Sequence, residues 1–375
     1  RRHKFRRNPT NREFYRRYED YPAVKTFDAG LEFLEINRTA KNWFLQIETF
    51  DPHEPFDVPA EFREDYKTNY RGPLFDFPPY ARVTEMPDAV AEVRANYAAT
   101  LAHCDRQFGR VLEFFDRHDL WSDTALIVST DHGFLLGEQD LWAKLVVPVF
   151  NEVAHIPLMI HHPQFRDRAG TRCTALTQTI DLMPTILDMY GVKPPAEVQG
   201  SSLLPLLAGT ASSIRDAALY GSHGAALNIT DGRYTYFRYP ENMQDGNLNQ
   251  YTLMPTHILS RFSVAELRDA TLADGFDFTQ GLKVLKVPAT EKSPYYNRHG
   301  PGAQIDCETR LFDLANDPAQ RSPIAAPAVE AALCEKMVRL MRDTDAPAEA
   351  YARFGLLDIH ERASHERASG VADRQ

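Results

Sequence analysis

The sequence predicts an α/β fold with a mostly parallel central sheet, followed by a smaller antiparallel α+β unit. Short apolar runs at 43–49, 125–129 and 157–160 lack alternation, which marks strands covered on both faces. A long amphipathic helix feeds the second of them, the βαβ pattern of a parallel sheet. Beyond about residue 210 the texture changes to short strand-like segments set between turn residues.

In chain order, Phe27, Leu31, Leu34 and Ile36 give a short helix over 27–37, ahead of the 43–49 strand. Residues 57–87 are rich in Pro, Tyr and Phe without a clean period and suit a long surface excursion. The helix over 88–118 is the clearest element. Val90, Val93, Tyr97, Leu101, Cys104, Phe108, Val111 and Phe115 recur at three- and four-residue steps, with Asp88 as N-cap. After the next two strands, residues 179–191 read as a helix ended by Gly191, with Pro184 confined to an early position or a kink. Segments 217–220, 225–230 and 234–239 are strands, the last two joined by a hairpin at Asp231-Gly232. A further strand at 282–287 and a helix over 327–342 complete the fold, and the charged tail from Glu361 is expected to be disordered. The divisions expected are 1–210 for the α/β domain, 211–355 for the C-terminal unit and 356–375 for the tail.

Composition excludes some functions. Of 375 residues, 43% are hydrophobic and 25% charged, ordinary values for a globular chain, and the net charge of −10 argues against nucleic-acid binding. Residues 1–22 carry eight Lys/Arg against three acids, but interleaved Phe5, Phe14, Tyr15 and Tyr18 read as a connecting segment with some packing. No apolar run approaches the ~20 residues needed to cross a bilayer. Cys104, Cys173, Cys307 and Cys334 have no metal or redox spacing and read as free thiols. The sequence does not reveal the compartment or the oligomeric state.

Chemistry concentrates where two strands end. The run Ala125-Leu-Ile-Val-Ser-Thr stops at Asp131-His132-Gly133, a hard oxygen beside an imidazole, with a glycine that lets the backbone approach closely. Open α/β sheets place their sites at such strand ends. Lys144 follows in Leu141-Trp-Ala-Lys. The run from Trp43 ends in Asp51-Pro-His53-Glu-Pro-Phe, which holds an imidazole between two prolines. Taken singly, each has a bland reading: a capped turn, a loop histidine, a surface lysine.

Taken together, the motifs resemble the sulfatase family of the alkaline phosphatase superfamily. Ser129-Thr-Asp-His-Gly-Phe-Leu-Leu-Gly-Glu, Leu141-Trp-Ala-Lys144, Ile156-Pro-Leu-Met-Ile, Asp51-Pro-His53-Glu-Pro-Phe, Asn228-Ile-Thr-Asp-Gly-Arg-Tyr and Leu311-Phe-Asp-Leu-Ala-Asn-Asp-Pro stand in that family's order. The resemblance implies an alkaline-phosphatase-like sandwich and metal-dependent cleavage of a small-molecule or carbohydrate sulfate ester, with neither nucleic acid nor membrane as partner. It implies that Asp131 and His132 bind a divalent metal, Ca2+ first with Mg2+ or Mn2+ as alternatives. Lys144 would neutralise charge on the sulfate group, and His53 would contact it and help protonate the leaving alcohol. His223, in Gly221-Ser-His-Gly, could line the substrate pocket. His161 and His162 are read as structural, and His257 as at most a substrate contact. The family's Cys/Ser-x-Pro-Ser-Arg motif, source of its formylglycine nucleophile, does not occur here. The expectation is a fragment lacking roughly a hundred or more N-terminal residues. Phosphonate monoester or phosphodiester hydrolysis is the nearest alternative, and a non-catalytic binding protein is the alternative from another class.

Overall fold

A computed structural model describes residues 10–244, 248–254, 256–257 and 260–372, and the side chains of these except 295 and 366–372. The chain divides into two compact units, one formed by residues 1–129, 134–143 and 157–169, the other by residues 130–133, 144–156 and 170–375.

In the first unit, proline opens both long helices: α1 spans Pro22–Asn37 and α2 spans Pro87–His118. Proline suits a first helical turn because the missing N–H has no intrahelical partner there. Asp88 is therefore the second helical residue, and Met86 holds the N-cap position. Asp119 ends α2 in the left-handed conformation (φ 52°). Phe27 and Leu34 of α1 pack against Val111, Phe114 and Phe115 of α2.

Strand β1 is Leu126–Ser129, β2 Leu135–Leu136, β3 Trp142–Ala143 and β4 Leu158–His161. β1 pairs antiparallel with β4, and β2 with β3. All strand pairings among the described residues are antiparallel, so the α/β class stands while parallel pairing is not found between this chain's own described strands. A four-residue apolar run carries no information about its partner's direction.

Residues 43–49 form no hydrogen-bonded strand, contrary to the sequence expectation. Their burial nonetheless alternates: Trp43, Leu45 and Ile47 pack toward the α1–α2 core, while Phe44, Gln46 and Glu48 are exposed. The side-chain pattern of a strand is present, but no described strand pairs with it. The excursion over 57–87 is more anchored than its composition suggests, since Phe75, Tyr80 and Val83 pack on a cluster of Phe56, Val93 and Trp142.

In the second unit, α3 (Leu182–Met189) takes Pro184 in its first turn, as its missing N–H requires. Strands β5 (Ala218–Gly221), β6 (Leu227–Thr230), β7 (Tyr234–Arg238), β8 (Asn249–Thr252), β9 (Thr271–Ala273), β10 (Val284–Pro288) and β11 (Arg310–Asp313) form two antiparallel sheets. Their orders are β11-β7-β6-β5 and β8-β10-β9. The predicted hairpin joins β6 to β7, and Gly232 there has φ 91°. Helix α4 (Pro327–Asp343) lays Leu333, Met337 and Met341 on Ile229, Tyr236 and Leu311, so an amphipathic helix covers one sheet face. Helix α5 (Ala348–Arg353) follows. Helix α6 (Leu357–Ala372) runs into the segment expected to be disordered, where Glu-Arg-Ala occurs twice and all three residue types have high helix propensity. No helix among the described residues is long and apolar enough to cross a membrane.

Candidate active site

The chain leaves β1 at Ser129, whose hydroxyl donates to the Pro157 carbonyl at 3.0 Å, and turns through residues 130–133. Asp131 Oδ1 accepts the His132 amide at 2.9 Å, which folds the carboxylate back over the turn. His132 Nδ1 lies 2.9 Å from the Gly133 carbonyl, which can only accept, so Nδ1 donates there and Nε2 is the nitrogen turned to other partners. Nε2 in turn stands 3.5 Å from Asp131 Oδ2. Typical ligand distances are ~2.4 Å for a carboxylate on calcium and ~2.1 Å for an imidazole on a transition metal, so donors this close can share one ion. Asp131 is largely exposed, its side chain 82% accessible. Among the described residues no group of three or more His, Cys, Asp or Glu side chains forms a metal cage. Asp131 and His132 thus present two adjacent donor atoms with donor chemistry suited to a divalent cation.

Gly133 is required sterically. Its amide donates to the Val153 carbonyl at 2.8 Å, and a β-carbon on it would stand 1.9 Å from the Glu152 carbonyl oxygen. Only glycine permits that approach.

Lys144 is 8% exposed, which removes the surface-lysine reading. The backbone around it is unusual: Gln139 (φ 56°), Asp140 (φ 55°), Ala143 (φ 79°) and Val146 (φ 61°) are all left-handed without being glycine. Each such residue costs of the order of 1 kcal/mol, and strain of this kind clusters at functional sites. Just beyond, the Ile305 amide donates to the Val146 carbonyl at 2.9 Å, and buried Phe150 meets Phe237 with centroids 5.3 Å apart.

His53 closes a turn in which its amide donates to the Phe50 carbonyl at 3.0 Å and its ring lies 4.2 Å from that of Phe50. The flanking Asp51-Pro52 and Glu54-Pro55 bonds are both cis. Nδ1 of His53 is 2.5 Å from the Glu54 carbonyl and 3.3 Å from Glu54 Oε2, which leaves Nε2 as the nitrogen able to serve a substrate. Glu54 is buried and accepts a hydrogen bond from the Tyr80 hydroxyl. Burial, with that bond second, pushes the Tyr80 phenol far above its ordinary range.

The remaining histidines divide. His223 is exposed, with Nε2 3.0 Å from the Asn249 carbonyl. His161 bonds the Trp121 carbonyl at 3.0 Å, and His162 stacks on Phe165, in keeping with structural roles. His257 is held 2.7 Å from the buried Glu266 carboxylate. The four cysteines are free, and burial raises Cys104 and Cys307 to about 11, far from the range of a reactive thiol.

Sequence reasoning missed a polar stripe on α2. Asn96, Thr100, His103 and Gln107 are buried there at helical spacing, and His103 Nδ1 lies 3.4 Å from Asp51 Oδ2. The signal was available as four polar residues recurring at steps of four, three and four on the helix's inward face.

Comparison with known proteins gives this geometry its class. The sulfatase family model matches residues 2–192, about half of the chain. The chain belongs to the sulfatase family. It is 29% identical over 209 residues to the multifunctional alkaline phosphatase superfamily protein PehA of Trinickia caryophylli, covering 48% of this chain and 40% of that protein. It is 33% identical over 128 residues to an N-acetylglucosamine-6-O-sulfatase of Bacteroides thetaiotaomicron, covering 33% of this chain and 22% of that one. The match thus spans less than half the length of either relative. The phosphonate monoester hydrolase of Agrobacterium radiobacter superposes with a TM-score of 0.58 at 19% identity, covering 87% of this chain and 62% of that one. This likeness establishes the alkaline-phosphatase-like α/β fold.

Proposed function

We propose that the protein carrying these residues hydrolyses sulfate esters of a small alcohol, phenol or carbohydrate. The observation that carries this reading is Lys144: a lysine 8% exposed, on a left-handed stretch of backbone, thirteen residues beyond the Asp131 that opens the Asp-His-Gly turn. An ammonium held at that depth makes strong charge-assisted hydrogen bonds to an oxyanion, and the non-bridging oxygens of a sulfate group are such acceptors. Lys144 would neutralise the non-bridging oxygens as the sulfur–oxygen bond breaks. His53, with Nδ1 donating to Glu54, would in its doubly protonated form also present Nε2–H to the bridging oxygen and give that proton to the leaving alcohol, ending as the neutral ring. Asp131 and His132 would hold a divalent cation, calcium first and magnesium or manganese as alternatives. When bound, that ion would lower the charge on the sulfate oxygens. The nucleophile we assign to a formylglycine from a Cys/Ser-x-Pro-Ser-Arg motif outside this sequence.

A second reading is hydrolysis of phosphonate monoesters or phosphodiesters, whose reacting group is, like a sulfate ester's, a tetrahedral anion with non-bridging oxygens. The same lysine, histidine and cation would serve it. Parallel assays of the whole protein on 4-nitrophenyl sulfate and on 4-nitrophenyl phenylphosphonate separate the two. Higher kcat/KM on the sulfate supports the first reading, and the reverse order supports the second. Turnover of neither, with cation bound, would leave a binding protein.

A further inference from the structure

The turn that carries His53 rests on a buried histidine to which the proposed chemistry gives no part. His103, midway along α2, is 0% exposed. Phe62, Tyr21 and Tyr18 meet its ring edge-on, with centroids at 4.9, 5.8 and 5.9 Å. Its Nε2 has no hydrogen-bond partner among the described residues. Nδ1 faces Asp51 Oδ2 at 3.4 Å, an ion-pair separation rather than an aligned hydrogen bond.

The neighbouring side chain grips the same residue. Cys104 Sγ donates to the Asp51 carbonyl at 3.6 Å. Asp51 is thus held by both its carboxylate and its backbone, from two consecutive residues of a long helix. Two residues later stands His53, whose own contacts (Phe50 on its face, Glu54 on Nδ1) fix only the ring within the turn. Beyond His53 the turn is tied to the scaffold by the bond from the Tyr80 hydroxyl to Glu54. Ahead of His53 the His103–Asp51 and Cys104–Asp51 contacts tie it to α2.

An apolar side chain at 103 would fill this aromatic cage without stranding a ring nitrogen, so packing alone does not account for histidine there. A buried polar pair is instead suited to selecting one geometry among several of similar packing energy. We infer that His103 is a positioning residue that acts through Asp51 to set where His53 presents Nε2. The inference rests on the reading of His53 as the leaving-group histidine. It adds that the aim of this histidine is set from α2 rather than within its own turn.

The test uses the whole protein with His103→Phe, His103→Gln, Asp51→Asn and His53→Ala. It reads the thermal midpoint, kcat and KM on 4-nitrophenyl sulfate, and the His53 ring resonances in protein labelled with 15N-histidine. In wild type the Phe50 ring, 4.2 Å from that of His53, is expected to shift those resonances. In folded His103→Phe we expect them to move, kcat to fall roughly tenfold or more and KM to change little, as misplacement of a reacting group requires. His103→Gln, which keeps a polar N–H group facing Asp51, recovers part of kcat. Folded His103→Phe with unmoved His53 resonances and wild-type kcat overturns the inference. Should His103→Phe fail to fold, Asp51→Asn decides by the same readings, because Asp51 lies nearer the surface. Wild-type turnover in His53→Ala would reject the leaving-group reading of His53. The resonances would then decide the positioning claim alone, supporting it if they move in both variants and overturning it if they do not.

Discussion

The amide of Gly133 donates to the carbonyl of Val153 at 2.8 Å, and the peptide just before Val153 passes so close that Gly133 has no room for a β-carbon. This contact holds the turn that displays Asp131 and His132. Gly133→Ala forces the two backbones apart or abolishes the bond. We expect a loss of about 1–3 kcal/mol in stability, the usual range for overpacking. Chemical denaturation measures it, and an unchanged midpoint would show that the turn relaxes freely.

In the proposed reading Asp131 is one of two adjacent donors to a divalent cation, its Oδ2 3.5 Å from His132 Nε2. Its side chain is mostly exposed, so Asp131→Ala should leave stability within about 0.5 kcal/mol of wild type. Calcium affinity by isothermal titration should fall and sulfate-ester turnover should be lost. Wild-type affinity in this variant would remove Asp131 from the donor set.

Arg215 and Asp181 form a bidentate pair at 2.5 Å, with Asp181 fully buried and Arg215 nearly so. The Gln178 and Ser201 amides also donate to this carboxylate, at 2.7 and 2.9 Å. Removing the cation alone leaves a buried charge, so Arg215→Ala should cost about 3–5 kcal/mol. The double change Arg215→Met with Asp181→Asn, which removes both charges and keeps an acceptor for these amides, should cost less than Arg215→Ala, a comparison that urea unfolding can make.

Glu349 predicts part of the acid sensitivity. Burial raises its pKa, but hydrogen bonds from Tyr251, Lys286 and Asn249 outweigh this and bring it down to about 2 from an ordinary 4.5. Because the folded value lies below the unfolded one, the carboxylate's stabilisation is complete above about pH 4.5 and is lost as pH falls toward 2. Glu349→Gln should flatten that part of the stability–pH curve and leave the neutral region without a pH slope of its own. Thermal melts between pH 2 and 7 test it.

Much of the fold was legible because it is written in local periodicity. The helix at 88–118 and the hairpin at Asp231-Gly232 fall within a residue or two of the structure, since a 3.6-residue apolar period and an Asx-Gly turn need no tertiary information. Strands β8 and β9 were missed, because Asn249-Gln-Tyr-Thr and Thr271-Leu-Ala have no apolar alternation and are strands only through pairing with β10. The 43–49 run shows the reverse: it has a strand's side-chain pattern without a described partner. At the site, the motifs pointed to Asp131, His132, Lys144 and His53, but burial had to be seen to lift Lys144 out of the surface class. His103 was read past because the helix's apolar residues already explained its amphipathicity, and its contact with Asp51 is 52 residues distant in sequence.

The most direct test of the proposed chemistry is steady-state turnover of 4-nitrophenyl sulfate by the whole protein and its Lys144→Ala variant, with folding monitored alongside. Loss of a group that neutralises developing charge should lower kcat by about 100-fold or more while the fold is retained. Equal turnover by the two proteins, or a loss that follows unfolding alone, would contradict the assignment of Lys144 to the sulfate.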